Sequence, residues 1–338
     1  MRAVVVAGPR RLAVESVPDP TPEPGQAVLR VASCGICGSD LHMHQLGFLP
    51  AGAIMGHEFC GEVAEAAGEL RVGERVCALP VLSCGRCERC KNGLGIYCAS
   101  QRALGLGRAQ GAFAEYVAVA AHEVVRLPAG VDDAHGALVE PLAVGLHAVD
   151  VSRLRGGESC LVIGAGPIGL AIALWAQQLG AAQVIVSEHA PGRRALAAEL
   201  GATRVVDPGQ EDLGAVLAAE LPDGPDVVFE AVGVRGLIQQ CIEHVRFRGR
   251  IVVAGVCVTP DTFQPAPAVI KEASLHFVMA YEKRDFQRTV DLLEQGRLRP
   301  ARMITSRIGL EAVPAAFDAL ERPSSQGKLL VAPGGAPR

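Results

Sequence analysis

The chain has 338 residues. A single hydrophobic core seldom extends over a chain of this length, so we predict two domains. Hydrophobic residues make up 49% of it and charged residues 20%, a balance typical of globular proteins. The net charge of −4 disfavours a nucleic-acid partner or an anionic membrane surface, because both attract basic proteins. We find no apolar run long enough for a signal peptide or a membrane span, so we expect a cytoplasmic protein.

The first 140 residues alternate short β-branched segments with Gly and Pro, which predicts short strands joined by turns. The predicted strands are 28–31, 61–63, 75–77 and 113–119. Cys37 and His57 lie between the first two of them. Each is a weak signal alone, because an isolated histidine is more commonly a packed or surface residue. Together, a thiolate and an imidazole form part of a catalytic zinc shell, which keeps one position open for water or substrate.

Four cysteines then fall within fifteen residues, at Cys84, Cys87, Cys90 and Cys98. Four thiolates close a tetrahedral shell around one Zn²⁺ and leave no position for substrate, so this zinc is predicted to be structural. An iron–sulfur cluster also takes four thiolates, but nothing else in the chain indicates electron transfer. The chain has eleven cysteines and no predicted export signal, which favours metal binding or buried thiols over disulfides.

Between residues 142 and 256, apolar strands alternate with Ala- and Leu-rich helices, a pattern typical of a parallel sheet covered on both faces. The strands are predicted at 159–163, 183–187, 205–206, 226–229 and 250–254, and the helices at 167–179 and 193–200. Past residue 274 this regular alternation of apolar strands and helices ends, and a helix is predicted at 285–295.

The first of these strands runs into a glycine-rich turn and a helix, the context of a dinucleotide-binding motif. Gly164 permits the tight turn, Gly166 lets a pyrophosphate approach the backbone, and Gly169 lets the helix pack closely. The remaining residues of the turn are Pro167 and Ile168, where the helix begins and its positive end meets the phosphates.

Glu188 follows the next predicted strand and favours NAD over NADP. Its carboxylate would accept hydrogen bonds from the adenosine ribose and repel a 2′-phosphate. Arg193 and Arg194 come shortly afterwards, and either they meet a 2′-phosphate or they lie on the exposed face of the next helix.

Taken in order, these patterns resemble the zinc-containing medium-chain dehydrogenase/reductase family, and the resemblance covers nearly the whole chain. It is carried by residues 35–42 (Gly-Ile-Cys-Gly-Ser-Asp-Leu-His), 56–58 (Gly-His-Glu), the four-cysteine segment, 140–144 (Glu-Pro-Leu-Ala-Val) and 164–169. The Glu-Pro-Leu segment is closest to the polyol branch, which is similar to sorbitol, threonine and butanediol dehydrogenases.

The resemblance implies an α/β fold in which a GroES-like β-barrel catalytic domain accompanies a Rossmann domain with a doubly wound parallel sheet. Residues 1–142 and 274–338 would form the barrel domain, and residues 143–273 the dinucleotide-binding domain. The family also implies two zincs per chain, NAD as cofactor and a homodimer or homotetramer.

Carried over by motif, Cys37, His57 and Glu58 would bind the catalytic zinc. Glu140 stands where some relatives place a further ligand and others a carboxylate near the metal; a buried acid unrelated to zinc is the alternative. Asp40 would hold the imidazole in its metal-binding tautomer, or else cap a helix.

Ser39 and His42 would carry the substrate proton away; a surface histidine unrelated to the reaction is the alternative for His42. The predicted reaction is hydride transfer between a secondary alcohol, or a ketone, and NAD(H). If the apolar residues between 43 and 55 line the pocket, the alcohol is apolar; they fit the barrel core equally well. These residues are Leu46, Phe48, Leu49, Ile54 and Met55.

Two alternatives are a polyol or amino-alcohol dehydrogenase, and a dinucleotide-binding protein that has lost its chemistry. The second is disfavoured because such a protein has no need of the zinc-ligand pattern.

Overall fold

The computed structural model describes residues 1–321 and 326–335. Its strands are β1 (Arg2–Gly8), β2 (Arg11–Ser16), β3 (Gln26–Gly35), β4 (Glu58–Glu65), β5 (Arg75–Ala78), β6 (Val81–Leu82), β7 (Arg102–Ala103), β8 (Tyr116–Ala120), β9 (Val124–Arg126), β10 (Ser159–Ile163), β11 (Gln183–Ser187), β12 (Arg204–Val206), β13 (Val227–Glu230), β14 (Arg250–Val253), β15 (Ser274–Phe277), β16 (Ile304–Ile308) and β17 (Lys328–Val331). Its helices are α1 (Gly38–Leu46), α2 (Glu88–Lys91), α3 (Asp133–Ser152), α4 (Pro167–Gln178), α5 (Pro191–Glu199), α6 (Leu213–Glu220), α7 (Leu237–His244), α8 (Pro265–Ile270), α9 (Lys283–Glu294) and α10 (Val313–Leu320).

The middle of the chain forms a parallel sheet in the order β12-β11-β10-β13-β14-β15. This is the doubly wound order, in which ligands bind beyond the carboxyl ends of the strands where the winding reverses. The reversal lies between β10 and β13, and β10 ends directly before Gly164. The inner strands are buried throughout, which explains why their sequences are continuous apolar runs.

The N-terminal part and the end of the chain share a second sheet, in the order β16-β17-β3-β4-β5-β9, with β8 also paired to β3. Antiparallel pairing of β3 with β4 sets Gly35 opposite Glu58. β17 pairs with the same end of β3, so the last strand of the chain lies beside the segment that leads to Cys37. One buried cluster runs through this barrel-like part and includes β1, β3, β4 and α10.

Helix α3 is an element that the sequence analysis did not predict, because Pro141 and two glycines interrupt its pattern. It crosses the boundary expected at residue 142 and packs on α4, where the Cβ of an alanine at Gly145 would lie 2.7 Å from the Ala171 Cβ. The indole N–H of Trp175 donates to the Leu142 carbonyl at 2.8 Å. The helix therefore joins the two parts of the molecule.

The second expected boundary, at residue 274, also needs correction. Strand β15 begins at Ser274 and pairs in parallel with β14, so it is the outer strand of the dinucleotide-binding sheet. The short exposed strand gave no continuous apolar run, which is why its sequence looked mixed. Among the described helices, none combines the length and apolar character needed to cross a membrane.

Candidate active site and metal centres

Cys37, His57 and Glu58 come together at the adjoining ends of β3 and β4. Cys37 is the N-cap of α1, two residues after β3 ends, and Glu58 is the first residue of β4. One candidate ligand atom from each of the three side chains lies within 4.8 Å of the other two. A thiolate, an imidazole and a carboxylate form a donor set that zinc accepts, with a fourth position left for a small molecule.

The Glu58 carboxylate is fully buried, and its two oxygens have different surroundings. Oε1 accepts a hydrogen bond from the Lys328 ammonium at 2.6 Å, whereas Oε2 is buried with no hydrogen-bond partner. A Cβ added at Gly35 would lie 2.0 Å from Oε2, so the carboxylate occupies space that only glycine leaves. A buried carboxylate oxygen without a partner is costly, and a bound cation would satisfy it.

Lys328 was not found by sequence reasoning. It lies on β17, and its ammonium also donates to the Ile36 carbonyl at 3.1 Å. Burial lowers the pKa of Lys328, but the acidic groups around it, Glu58 first and then Cys37 and Glu140, together outweigh burial and raise this pKa. The one available signal was a lysine in an otherwise apolar strand, and that signal does not identify its partner.

Asp40 connects the two ligand-bearing segments. Its carboxylate accepts the Cys37 N–H at 2.9 Å, as the third residue of a capping box on α1, and the Gly56 N–H at 3.3 Å. Its Oδ1 also lies 3.4 Å from the His57 Nδ1. Burial disfavours the charged imidazole, but Asp40 and then Cys37 outweigh it and raise the pKa of His57. Because Asp40 faces Nδ1, the Nε2 atom is the nitrogen available to a metal.

Ser39 and His42 lie one turn apart on α1, three residues from each other and hence on one face. The Ser39 hydroxyl is 3.1 Å from the His57 Nε2, whereas His42 is exposed to solvent. The two side chains thus lead from the candidate ligand set toward the surface.

Glu140 lies on α3 and is not one of the side chains whose ligand atoms converge within 4.8 Å. Its Oε1 accepts a hydrogen bond from the buried Tyr281 hydroxyl at 2.8 Å. Burial, reinforced by the nearby Glu58 carboxylate, raises the pKa of Glu140 to about 7. Tyr281 is a second site residue that the sequence did not indicate.

The four-cysteine segment brings its sulfurs close together. The Sγ atoms are 3.4 Å apart between Cys87 and Cys90, 3.8 Å between Cys84 and Cys90, and 3.9 Å between Cys87 and Cys98. A tetrahedral shell with Zn–S bonds of about 2.3 Å places its sulfurs about 3.8 Å apart, so the segment fits zinc. A hydrogen bond from Ser100, followed by contacts with Cys84, lowers the pKa of Cys98 to about 6, which favours the metal-binding thiolate.

The glycine-rich turn has the shape that a dinucleotide requires. Gly164 has a φ of +93°, and a Cβ at Gly169 would lie 1.9 Å from the Gly164 carbonyl oxygen, so both positions need glycine. At Gly166 an added Cβ would meet nothing within 4 Å, which leaves open space for a pyrophosphate. Gly166 is the N-cap of α4, and Pro167 and Ile168 form its first turn, so the free N–H groups of this helix face that space.

The Glu188 carboxylate lies beside this turn, where it accepts the Ala165 N–H and the Ala190 N–H, each at 2.8 Å. The two arginines that follow have different surroundings. Arg193 donates to the Gln326 carbonyl at 3.1 Å, whereas Arg194 donates to the Glu188 carbonyl at 2.9 Å and pairs with Asp207. Of the two, Arg194 is therefore the one held next to Glu188.

The apolar residues between 43 and 55 divide into two groups. Leu49, Ile54 and Met55 are buried in the barrel cluster, which answers the question left open by the sequence. Leu46 and Phe48 are exposed, Phe48 to 78%. The expectation of an apolar pocket therefore rests on these two residues alone.

Comparison with known proteins gives matches over both parts of the chain. Residues 23–129 match the family described as the alcohol dehydrogenase GroES-like domain, and residues 167–295 match the zinc-binding dehydrogenase family. The (R,R)-butanediol dehydrogenase of Bacillus subtilis is 34% identical over 98% of this chain and 100% of its own length. An L-threonine 3-dehydrogenase of Mesorhizobium japonicum is 33% identical over 94% of each chain.

A solved structure from Sinorhizobium meliloti, described as a zinc-binding dehydrogenase bound to NADP, superposes with a TM-score of 0.90. It is 34% identical in sequence and covers 98% of this chain and 99% of its own. The similarity therefore extends over nearly the whole chain.

Proposed function

Because the chain belongs to the zinc-containing medium-chain alcohol dehydrogenase family, we propose that it transfers a hydride between a small secondary alcohol, or the corresponding ketone, and NAD. The observation that carries this proposal is the convergence of Cys37, His57 and Glu58 within 4.8 Å, with a buried Glu58 oxygen that lacks a partner. This donor set also argues against a dinucleotide-binding protein without chemistry, which has no use for a buried carboxylate oxygen without a partner.

In this proposal Cys37, His57 and Glu58 hold the catalytic zinc, which acts as a Lewis acid on the substrate oxygen. Asp40 orients the imidazole, and the Ser39 hydroxyl beside the ligand set accepts the substrate's hydroxyl proton as it passes its own proton on. His42, exposed one turn further along α1, passes that proton to solvent. Cys84, Cys87, Cys90 and Cys98 hold a structural zinc that orders their segment.

NAD is the cofactor that Glu188 favours, since its carboxylate occupies the position next to the glycine-rich turn where a 2′-phosphate would be repelled. The solved relative bound to NADP gives a reason to test this preference directly. We therefore propose that kcat/KM is higher with NAD⁺ than with NADP⁺, and a higher value with NADP⁺ would refute this assignment.

The substrate we propose carries a second polar group next to the reacting hydroxyl, as a polyol or an amino alcohol does. The two relatives named above act on butanediol and threonine, which both have such a group. The competing assignment is an apolar alcohol. Of the apolar residues between 43 and 55 named above, only Leu46 and Phe48 are exposed and could contact such a substrate. A panel of 2,3-diols, amino alcohols and simple 2-alkanols, each with NAD⁺, separates the two classes by kcat/KM.

We further propose a homodimer that forms along β15. This strand is the edge of its sheet in the described residues, and an edge strand offers unpaired backbone groups to another strand. Phe277 and Met279 are exposed there to 67% and 60%, so a second copy would bury apolar surface as well. Phe277→Lys should reduce the mass measured by light scattering to that of a monomer. Val72→Lys serves as the control, because Val72 is as exposed as Phe277 but is not part of the sheet that contains β15.

Metal analysis tests the two zinc sites. Wild-type protein should contain two zincs per chain, Cys37→Ser one zinc with no turnover and a largely intact fold, and Cys87→Ser one zinc with lower thermal stability. One zinc or none in carefully prepared wild-type protein would contradict the proposal.

A further inference from the structure

A short segment that leads from β15 into the first residue of α9, residues 279–283, contacts both the four-cysteine lobe and a carboxylate near the catalytic ligand set. Tyr281 is 1% exposed, and its hydroxyl donates to the Glu140 carboxylate at 2.8 Å. Helix α3, which carries Glu140, packs against β3 and β4, the two strands whose adjoining ends carry the catalytic ligand set. Through Tyr281, the segment therefore donates a hydrogen bond to Glu140, a buried carboxylate near the catalytic ligand set.

The same segment is hydrogen-bonded to the four-cysteine lobe, residues 84–98. The backbone N–H of Lys283 donates to the Gly93 carbonyl at 3.1 Å. Lys283 is the first residue of α9, so this N–H has no partner within the helix and the lobe satisfies it. The Tyr97 hydroxyl also reaches the Met279 carbonyl at 3.4 Å.

These contacts come from the part of the lobe that its cysteines enclose. Gly93 and Tyr97 lie between Cys90 and Cys98, and the Gly93 N–H donates to the Cys90 carbonyl at 3.1 Å. Ile96, between them, packs against the buried cluster that contains Tyr281. The position of the Gly93 carbonyl therefore depends on how the four sulfurs are held together.

Away from the lobe, Tyr281 packs among apolar side chains and lies two residues before the start of α9. Its ring lies 4.8 Å from that of Phe286, and a capping box between Glu282 and Asp285 fixes the helix start. The hydrogen bonds from Lys283 to Gly93 and from Tyr97 to Met279 lie on either side of Tyr281 in the chain, and they tie its backbone to the lobe.

We propose that Tyr281 is a positioning residue for the Glu140 carboxylate, and that the four-cysteine lobe holds Tyr281 in place through its bond to Lys283. This inference rests on the proposed zinc sites. It assigns to the lobe a second role besides stability: an intact lobe keeps the catalytic site in the geometry that retains its metal.

The first test is Tyr281→Phe, which removes one hydroxyl and keeps the buried ring. Release of the catalytic zinc to a chelating dye should become roughly tenfold faster, because the buried carboxylate loses a hydrogen bond that restrains it. Cys37→Ser, which lacks the catalytic zinc, identifies the release phase that belongs to the lobe. In a Glu140→Met background, which has no oxygen to accept the Tyr281 hydroxyl, Tyr281→Phe should add no further effect, whereas a merely structural tyrosine would affect both backgrounds equally.

The second test compares Lys283→Pro with Lys283→Ala. Proline suits the first position of a helix, and the preceding Glu282 has φ −105° and ψ 163°, which a residue before proline adopts readily. Lys283→Pro deletes the N–H that binds Gly93, while Lys283→Ala keeps that N–H and removes only the ammonium that contacts the His122 carbonyl. We expect Lys283→Pro to speed release of the catalytic zinc at least threefold and Lys283→Ala to leave it at the wild-type rate.

The outcomes separate this inference from the proposed function. Wild-type protein that lacks zinc at Cys37 would overturn the function itself. If Tyr281→Phe binds two zincs, turns over and releases its catalytic zinc at the wild-type rate, the positioning role of Tyr281 is overturned. Equal release rates in Lys283→Pro and Lys283→Ala would overturn the role of the lobe. If Lys283→Pro does not fold, Tyr281→Phe, measured with and without the substitution at Glu140, still tests the positioning role of Tyr281.

Discussion

The buried ion pair between Lys328 and Glu58 is the feature of the site whose energetic consequence is best defined. The two side chains are 1% and 0% exposed, and their charged atoms are 2.6 Å apart. We consider Lys328→Met, which keeps the length and apolar stem of the side chain but removes its charge. The Glu58 carboxylate then has no partner on Oε1 and already has none on Oε2.

Removing one member of a buried ion pair destabilises a protein by about 3–5 kcal/mol, because the remaining charge is left in a medium that solvates it poorly. Zinc-depleted Lys328→Met should therefore lose about that much free energy of unfolding. In the zinc-loaded protein the metal supplies the missing positive charge to Glu58, and part of the loss should be recovered. By linkage, zinc should stabilise the variant more than it stabilises the wild type.

Urea unfolding of chelator-treated and zinc-saturated protein measures both quantities. The effect of the lobe zinc is common to wild type and variant, so it cancels in the difference between them. The control is Lys328→Met combined with Glu58→Gln, which removes both charges and should be less destabilised than Lys328→Met alone when zinc is absent. A zinc-depleted variant within about 1 kcal/mol of the wild type, or equal stabilisation of both by zinc, would show the reasoning to be wrong.

Three further predictions concern the cofactor, the proton path and the pH dependence. Glu188→Ser should raise kcat/KM with NADP⁺ relative to NAD⁺, because it removes the charge that repels a 2′-phosphate; an unchanged ratio would exclude this role. His42→Gln should keep both zincs and slow alcohol oxidation most at low pH, and loss of zinc in that variant would assign His42 to the metal instead. In zinc-depleted protein, the folded state raises the pKa of Glu140 from 4.5 to about 7, so it retains a proton that the unfolded chain has lost. Stability should therefore fall as pH rises from about 4.5 to 7, and urea unfolding of Glu140→Gln should show a flatter profile across that window.

The dinucleotide-binding half was predictable because its signals are local. Strands β10 and β11 begin and end at the predicted residues, since inner strands of a parallel sheet are buried on both faces and appear as unbroken apolar runs. Edge strand β15 is exposed on most of its length and lacks that signal. Helix α3 was missed because Pro141 lies inside it, and a proline usually ends a helical pattern.

The candidate site shows the same division. The four cysteines were found from their close spacing, and Cys37 and His57 from the short motifs around them and the resemblance that those motifs carry. Lys328 and Tyr281 have no such signal, because they reach their partners from 270 and 141 residues away in the chain. A lysine in a strand and a tyrosine before a helix are common in sequences, and only the folded structure shows that each lies beside a buried carboxylate.

This division has a physical consequence for how the site forms. The two carboxylates near the catalytic ligand set, Glu58 and Glu140, each take their recorded side-chain partner from the last part of the chain, on β17 and on the segment before α9. Burying a carboxylate without that partner is unfavourable, so Glu58 should become buried only when β17 has docked on β3, and Glu140 only when the segment before α9 has packed beside it. The ligand-bearing loops are set by short-range contacts such as those of Asp40, and they can form earlier. We therefore expect the four-cysteine lobe to bind zinc early in refolding, and the catalytic zinc to be bound tightly only after β17 has paired.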